Sequence, residues 1–140
     1  MKKIGLIFTF ISSILLFSLP ASAEWSKVSS DKVKGYDYYV DFDRIKKSGN
    51  YIYFWELWNF KNPVTKALGF TDIFRSAKMY TQGDCSIFRK KFLKVQMHSN
   101  KMGIGVPAVI EGDEKEWSYP NPETISEQIL KSACRQLKGK

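Results

Sequence analysis

Histidine occurs once, as His98, and it precedes a segment, Ser99 to Gly105, that carries two glycines. General acid–base and nucleophilic catalysis need a base held beside its partner. A single histidine at the head of a Gly-rich loop reads as solvated instead. Carboxylates are paired at Asp41/Asp43 and grouped at Glu111/Asp113/Glu114. On a strand, Asp41 and Asp43 would point to one face, a spacing that could serve a hydrolase or a metal. Asp-Phe-Asp at a strand end reads more simply as turn and capping chemistry. Residues 111–116 read as a polar turn, with Lys115 offsetting part of its charge. Cys85 and Cys134 with His98 fall short of the four ligands of a structural zinc site, and they do not form Cys-x-x-Cys. Gly103-x-Gly105 is too short for a dinucleotide fingerprint and opens no helix. The expectation is a protein that is not an enzyme, with no catalytic residues, no metal and no cofactor.

The basic run Arg89-Lys90-Lys91-x-x-Lys94 is the most suggestive surface feature. Phe88 and Phe92 interleave it, and Arg75 and Lys78 fall on the preceding segment. These six cations are the candidate ligand-binding residues, for an anionic polymer or an acidic protein. On a regular strand the alternation places Arg89 and Lys91 on one face and Lys90 and Lys94 on the other, which divides the charge. The simpler reading is a solvated edge that lysines protect from aggregation.

These residues sit in a chain of 140, with 22 Lys+Arg against 14 Asp+Glu and 44% hydrophobic residues. That length fits one domain, and the apolar content is enough for a core. Lys2 and Lys3 precede an apolar run, Ile4 to Leu19, and Ala21-Ser22-Ala23 places small residues where a signal peptidase requires them. Residues 1–23 therefore read as a secretory signal and 24–140 as a single mature domain. The run is too short for a membrane anchor. Cleavage removes Lys2 and Lys3, so the net charge falls from +8 to +6. Nothing after the leader is apolar enough to span a membrane. Two cysteines in an exported chain pair more often than not, and a Cys85–Cys134 bridge closes a loop of about 50 residues.

The elements follow from local pattern. Trp25–Val28 and Tyr36–Val40 read as strands around a turn at Asp31–Gly35. Ser48-Gly49-Asn50 reads as a turn. Tyr51–Phe60 is apolar or aromatic on both faces and reads as a central strand. Lys61–Gly69 reads as a loop, Phe70–Tyr80 as a strand, and Gly83-Asp84 as a turn. Ser86–Met97 fits helix and strand equally by pattern. Val106–Ile110 reads as a short edge strand. Asn121-Pro122-Glu123 reads as a helix start, after which Ile125, Ile129, Ala133 and Leu137 form one apolar face. The result is an α+β domain: an antiparallel sheet of about five to six strands with a C-terminal helix packed on one face. Tyr36, Tyr38, Tyr39, Tyr51, Tyr53, Trp55 and Trp58 are more than one sheet face can hide. Most read as core, with a few left for an exposed surface or a homodimer contact.

An ordered set of pieces resembles the surface-adhesin protein E-like family of Gram-negative bacteria. The pieces are Trp25, Tyr38-Tyr39-Val40-Asp41, Ile45 with Ser48-Gly49, and Trp55-Glu56-Leu57. Ser76-x-Lys78, Asp84-Cys85, Met102-Gly103-x-Gly105, Trp117, Pro120 and Cys134 complete it. The resemblance implies a small antiparallel sheet on a helix, a Cys85–Cys134 bridge, and a strand at Ser86–Met97. The best-characterised member is an outer-membrane adhesin that binds host vitronectin, laminin and plasminogen through a lipid-anchored domain. This chain lacks the anchoring cysteine, so a free periplasmic or secreted protein is as strong an expectation as surface display. The first functional reading is an exported, non-enzymatic, adhesin-like module. It would bind a protein ligand through a sheet surface rich in Tyr/Trp and Arg/Lys. The alternative is a periplasmic structural or inhibitory protein without an adhesin role.

Overall fold

The computed structural model of the protein describes residues 24–65, 72–111 and 116–139. The leader expected at 1–23 lies outside them. Among the described residues seven strands form one antiparallel sheet: β1 (Ser26–Asp31), β2 (Tyr36–Val40), β3 (Lys46–Ser48), β4 (Tyr51–Thr65), β5 (Ile73–Asp84), β6 (Arg89–His98) and β7 (Ala108–Glu111). Six of them run in the order β1-β2-β4-β5-β6-β7, and short β3 pairs with the start of β4. The helix α1 (Ile125–Lys138) follows.

The core lies between α1 and one sheet face. Val40, Ile52 and Phe54 of the sheet pack against Ile129 and Ala133, on the face expected from the four-residue repeat, and against Leu130 beside them. Buried apolar area of this kind dominates stability. Cys85 and Cys134 form a disulfide with Cα atoms 5.8 Å apart, tying the helix to the β5–β6 connection. A second apolar cluster, with Phe60, Met79, Val95 and Met97, continues along the same face.

Several local expectations are corrected. The turn expected at Ser48-Gly49-Asn50 falls at 49–50, but it joins a strand the local pattern did not show: Lys46–Ser48, whose backbone pairs with Tyr51–Tyr53. β4 runs on through Pro63 to Thr65. Proline lacks the N–H a ladder needs. It is accommodated where the β4–β5 register jumps from Asn59↔Ser76 to Val64↔Phe74. The rest of the expected loop, 66–69, lies outside the described residues, as do 70–71 of the expected strand and 112–115 of the expected polar turn. Gly83 and Asp84 finish β5 instead of turning. Their strand pairing wins, and the turn falls at 85–88. The helix is capped by Thr124, not Asn121. The Thr124 hydroxyl accepts from the Glu127 N–H at 3.2 Å, and Glu127 accepts from the Glu123 N–H at 2.8 Å, a close relative of the capping box.

Candidate functional site

α1 covers one side of the sheet, and side-chain alternation sends Tyr51, Tyr53 and Trp55 of β4 to the other. Tyr80 of β5 comes to the same side, with its ring centroid 5.0 Å from that of Trp55 and 6.2 Å from that of Tyr53. Three rings thus make a continuous floor. The aromatics are divided as expected in kind: Tyr38 and Phe54 are buried on the helix side, and Tyr51, Tyr53 and Trp55 are half-buried on the helix-free side.

The cations reach this face through an irregularity in β6. Asp84↔Arg89 and Gln82↔Lys91 are cross-strand partners. The register then shifts, so that Thr81 faces Phe92 and Tyr80 faces Lys94. Leu93 is the extra residue of a bulge. The bulge reverses the alternation and brings Lys94 onto the face of Arg89 and Lys91, where regular spacing would have kept it away. Lys90 alone of the run goes to the helix side. Its ammonium is 2.7 Å from Glu56 Oε1, and both side chains are almost fully buried.

Trp117 completes the surface. Ser118 forms an isolated bridge to Lys90, with N–H to carbonyl distances of 2.8 and 2.9 Å. That bridge fixes Trp117, whose ring stacks on Tyr51 at 5.6 Å. The Arg89 guanidinium lies 4.3 Å and the Lys91 ammonium 5.0 Å from the Trp117 ring centre. Cations over an aromatic face gain from its quadrupole. Asp84 holds Arg89 at 3.4 Å. The Ser86 hydroxyl, followed by the Ile87 backbone N–H, keeps the Asp84 carboxyl below its ordinary pKa.

The remaining candidates lie apart. Arg75 sits near the other end of β5 and donates to the Ser99 carbonyl at 3.0 Å. Lys78 shares the helix-free face but is half-buried beside Gly103, and burial followed by the nearby Arg44 charge lowers its pKa. Sequence reasoning missed Tyr80 and Trp117 as parts of one surface with the basic run. Trp117 comes from a segment distant in sequence, and Tyr80 from the neighbouring strand β5.

The residues weighed for catalysis also have definite places. Asp41 is buried and paired with Arg44, whereas Asp43 is exposed on a 3-10 turn, Phe42–Arg44. They are not a carboxylate pair. His98 is 1% exposed at the end of β6, not solvated. The segment 99–105 folds back so that the Gly105 carbonyl accepts from its Nδ1 at 3.1 Å. Burial, then the Lys78 charge, pushes its pKa down. Among the described residues no three His, Cys, Asp or Glu side chains gather as metal ligands, and no helix is long and apolar enough to cross a membrane.

The fold is shared with Haemophilus influenzae protein E. Its crystal form II superposes with a TM-score of 0.62 at 18% identity, covering 84% of this chain and all of that one. A second structure of Haemophilus influenzae protein E gives 0.61 at 16% identity, over 83% of this chain and 97% of the other. Protein E from a non-typeable strain gives 0.57 at 17%, over 83% and 77%. No curated protein matches the sequence. The family model for surface-adhesin protein E matches residues 25–135, and the chain belongs to that family.

Proposed function

We propose that this chain is an exported, non-enzymatic, adhesin-like binding module, whose contact surface is the helix-free sheet face. Residues 1–23 are its leader and 24–140 its mature domain. Family membership supports the adhesin class. The observation that carries the choice of surface is the Trp117 ring held against Tyr51 with Arg89 and Lys91 above it. Aromatic and arginine side chains at the centre of a patch are the usual anchors of a protein interface. Lys91 and Lys94 add a field that steers acidic partners. Lys90 is outside this surface and serves the interior.

The test is binding of mature protein to immobilised vitronectin, laminin and plasminogen at physiological salt. Lys91→Glu with Lys94→Glu should weaken binding about tenfold or more, and Trp117→Ala should do the same, with circular dichroism unchanged. Undiminished binding by both variants discards this face. Binding that disappears on raising salt, and is indifferent to Trp117, reduces it to generic charge.

A further inference from the structure

We infer that the cleft between Asp43–Lys46 and the Trp55–Tyr80 pair is a subsite for an acidic saccharide, taking one hexuronic acid ring. The inference rests on the reading of the helix-free face as a binding surface and names the ligand chemistry of its cleft.

The cleft encloses about 340 Å³ and is lined by Asp43, Arg44, Ile45, Lys46, Trp55 and Tyr80. That is the low end of small-ligand sites and suits one ring. Its floor is the Trp55–Tyr80 pair, whose ring planes are inclined by 37°. A pyranose carries its axial C–H bonds on a face that is apolar and slightly positive, which complements the negative face of an indole or phenol ring.

The rim supplies polar groups of the right kinds. Arg44 donates through Nε to the buried Asp41, while half of its own side chain stays exposed. The guanidinium is therefore held in place, and its two Nη groups have no partner among the described residues. A fixed guanidinium fork matches a carboxylate in two hydrogen bonds. Asp43 and Lys46 are exposed and make no side-chain hydrogen bond or ion pair among the described residues. Asp43 can accept from ring hydroxyls, and Lys46 adds charge.

The balance of charge selects an acid. Arg44 and Lys46 line the cleft, Lys94 pairs across the sheet with Tyr80, and Lys78 is close enough to Arg44 to feel its charge. Against these cations the cleft sets only Asp43. Low-dielectric aromatic walls focus such a field. A nucleic-acid strand also stacks and seeks cations. Asp43 at the rim opposes a chain charged at every residue more than a saccharide charged at alternate rings, and it can accept from that saccharide's hydroxyls.

The experiment titrates mature protein at physiological salt with a hyaluronan hexasaccharide, a neutral chitin hexasaccharide and an oligothymidylate, reading assigned NMR shifts. The hyaluronan probe should move the Trp55 and Tyr80 signals. Lys46→Glu should weaken it about tenfold, and Asp43→Ala should weaken it several-fold. Both substitutions are at exposed side chains without partners, so the fold should persist, and unchanged dispersion of the spectrum checks this. Equal binding of the chitin probe, equal or tighter binding of the oligonucleotide, or no movement at Trp55 overturns the inference. If vitronectin, laminin or plasminogen binding through Trp117 survives such a result, the binding-surface reading stands without the saccharide. If neither a protein nor a saccharide engages the face, both fall.

Discussion

The Lys90 ammonium lies 2.7 Å from Oε1 of Glu56, across β5, with about 4% and 0% of the two side chains exposed. Glu56 is also held by the Thr81 hydroxyl at 2.9 Å and by the Trp58 indole N–H at 3.2 Å. One carboxylate thus accepts from an ammonium, a hydroxyl and an indole inside the core. Burying two charges costs several kcal/mol each and is repaid only when the lone pairs are satisfied in this way. Such a pair adds little net stability over an apolar replacement of similar volume. It ties β6 to β4 and orients the strand that carries Arg89, Lys91 and Lys94.

Breaking that pair should cost more than removing it. Lys90→Met leaves Glu56 charged and unpaired in the interior, and the expected loss is about 3–5 kcal/mol in urea unfolding. Adding Glu56→Met to Lys90→Met should recover much of the loss. A double variant no better than the single one would show that the carboxylate does not depend on Lys90.

The disulfide should supply a large share of the domain's stability. Closing a loop of about 50 residues is worth about 4 kcal/mol in the chain-entropy model. Cys85→Ala with Cys134→Ala should lower unfolding stability by about that amount. A change under about 1 kcal/mol would place the stabilisation in helix packing alone. Two reactive thiols in exported protein would contradict the bridge itself.

His98 should make stability depend on pH in mild acid. Its folded pKa is lowered by burial, so the unfolded chain binds the proton more readily. The folded form is favoured above the unfolded pKa of about 6.5, and the advantage declines as pH falls below that value. Denaturation midpoints should fall between about pH 7 and pH 5. His98→Gln should flatten that slope. A wild-type slope retained in the variant would assign the effect to other groups.

Helix and sheet meet too closely at Gly83 for a side chain. A Cβ there would lie 2.8 Å from Leu130 Cδ1 and 3.1 Å from Ile52 Cγ1. Gly83→Ala should destabilise by about 1–3 kcal/mol. Combining it with Leu130→Ala should cost less than the sum of the two single changes. Strict additivity, measured by a double-mutant cycle, would mean that the two positions do not compete for space.

The sequence by itself determined the class of fold and the family. Alternating aromatics in Tyr51–Phe60, the four-residue repeat after Ile125 and the pairing of Cys85 with Cys134 are local or countable features. Each maps directly onto a strand, a helix face or a bridge. Glu56 carried a signal that the sequence analysis did not use: a lone charge in a strand apolar on both faces requires a buried partner. Which cation answers it is a matter of tertiary pairing, and Lys90 lies 34 positions away. Lys94 shows the limit most clearly. Alternation assigns it to the face of Lys90, and the bulge at Leu93 moves it to that of Arg89 and Lys91. A bulge is fixed by what packs on both sides of a strand, not by the strand's own residues. Asp41 and Asp43 were legible as turn residues, but their separation into one buried and one exposed carboxylate was not. Tyr80, Trp55 and Trp117 become one surface only because β4, β5 and the segment bridged to Lys90 lie side by side. Local pattern specifies which residues prefer strand or helix. Only the assembled sheet, satisfying its backbone and filling its core, decides which side chains share a face.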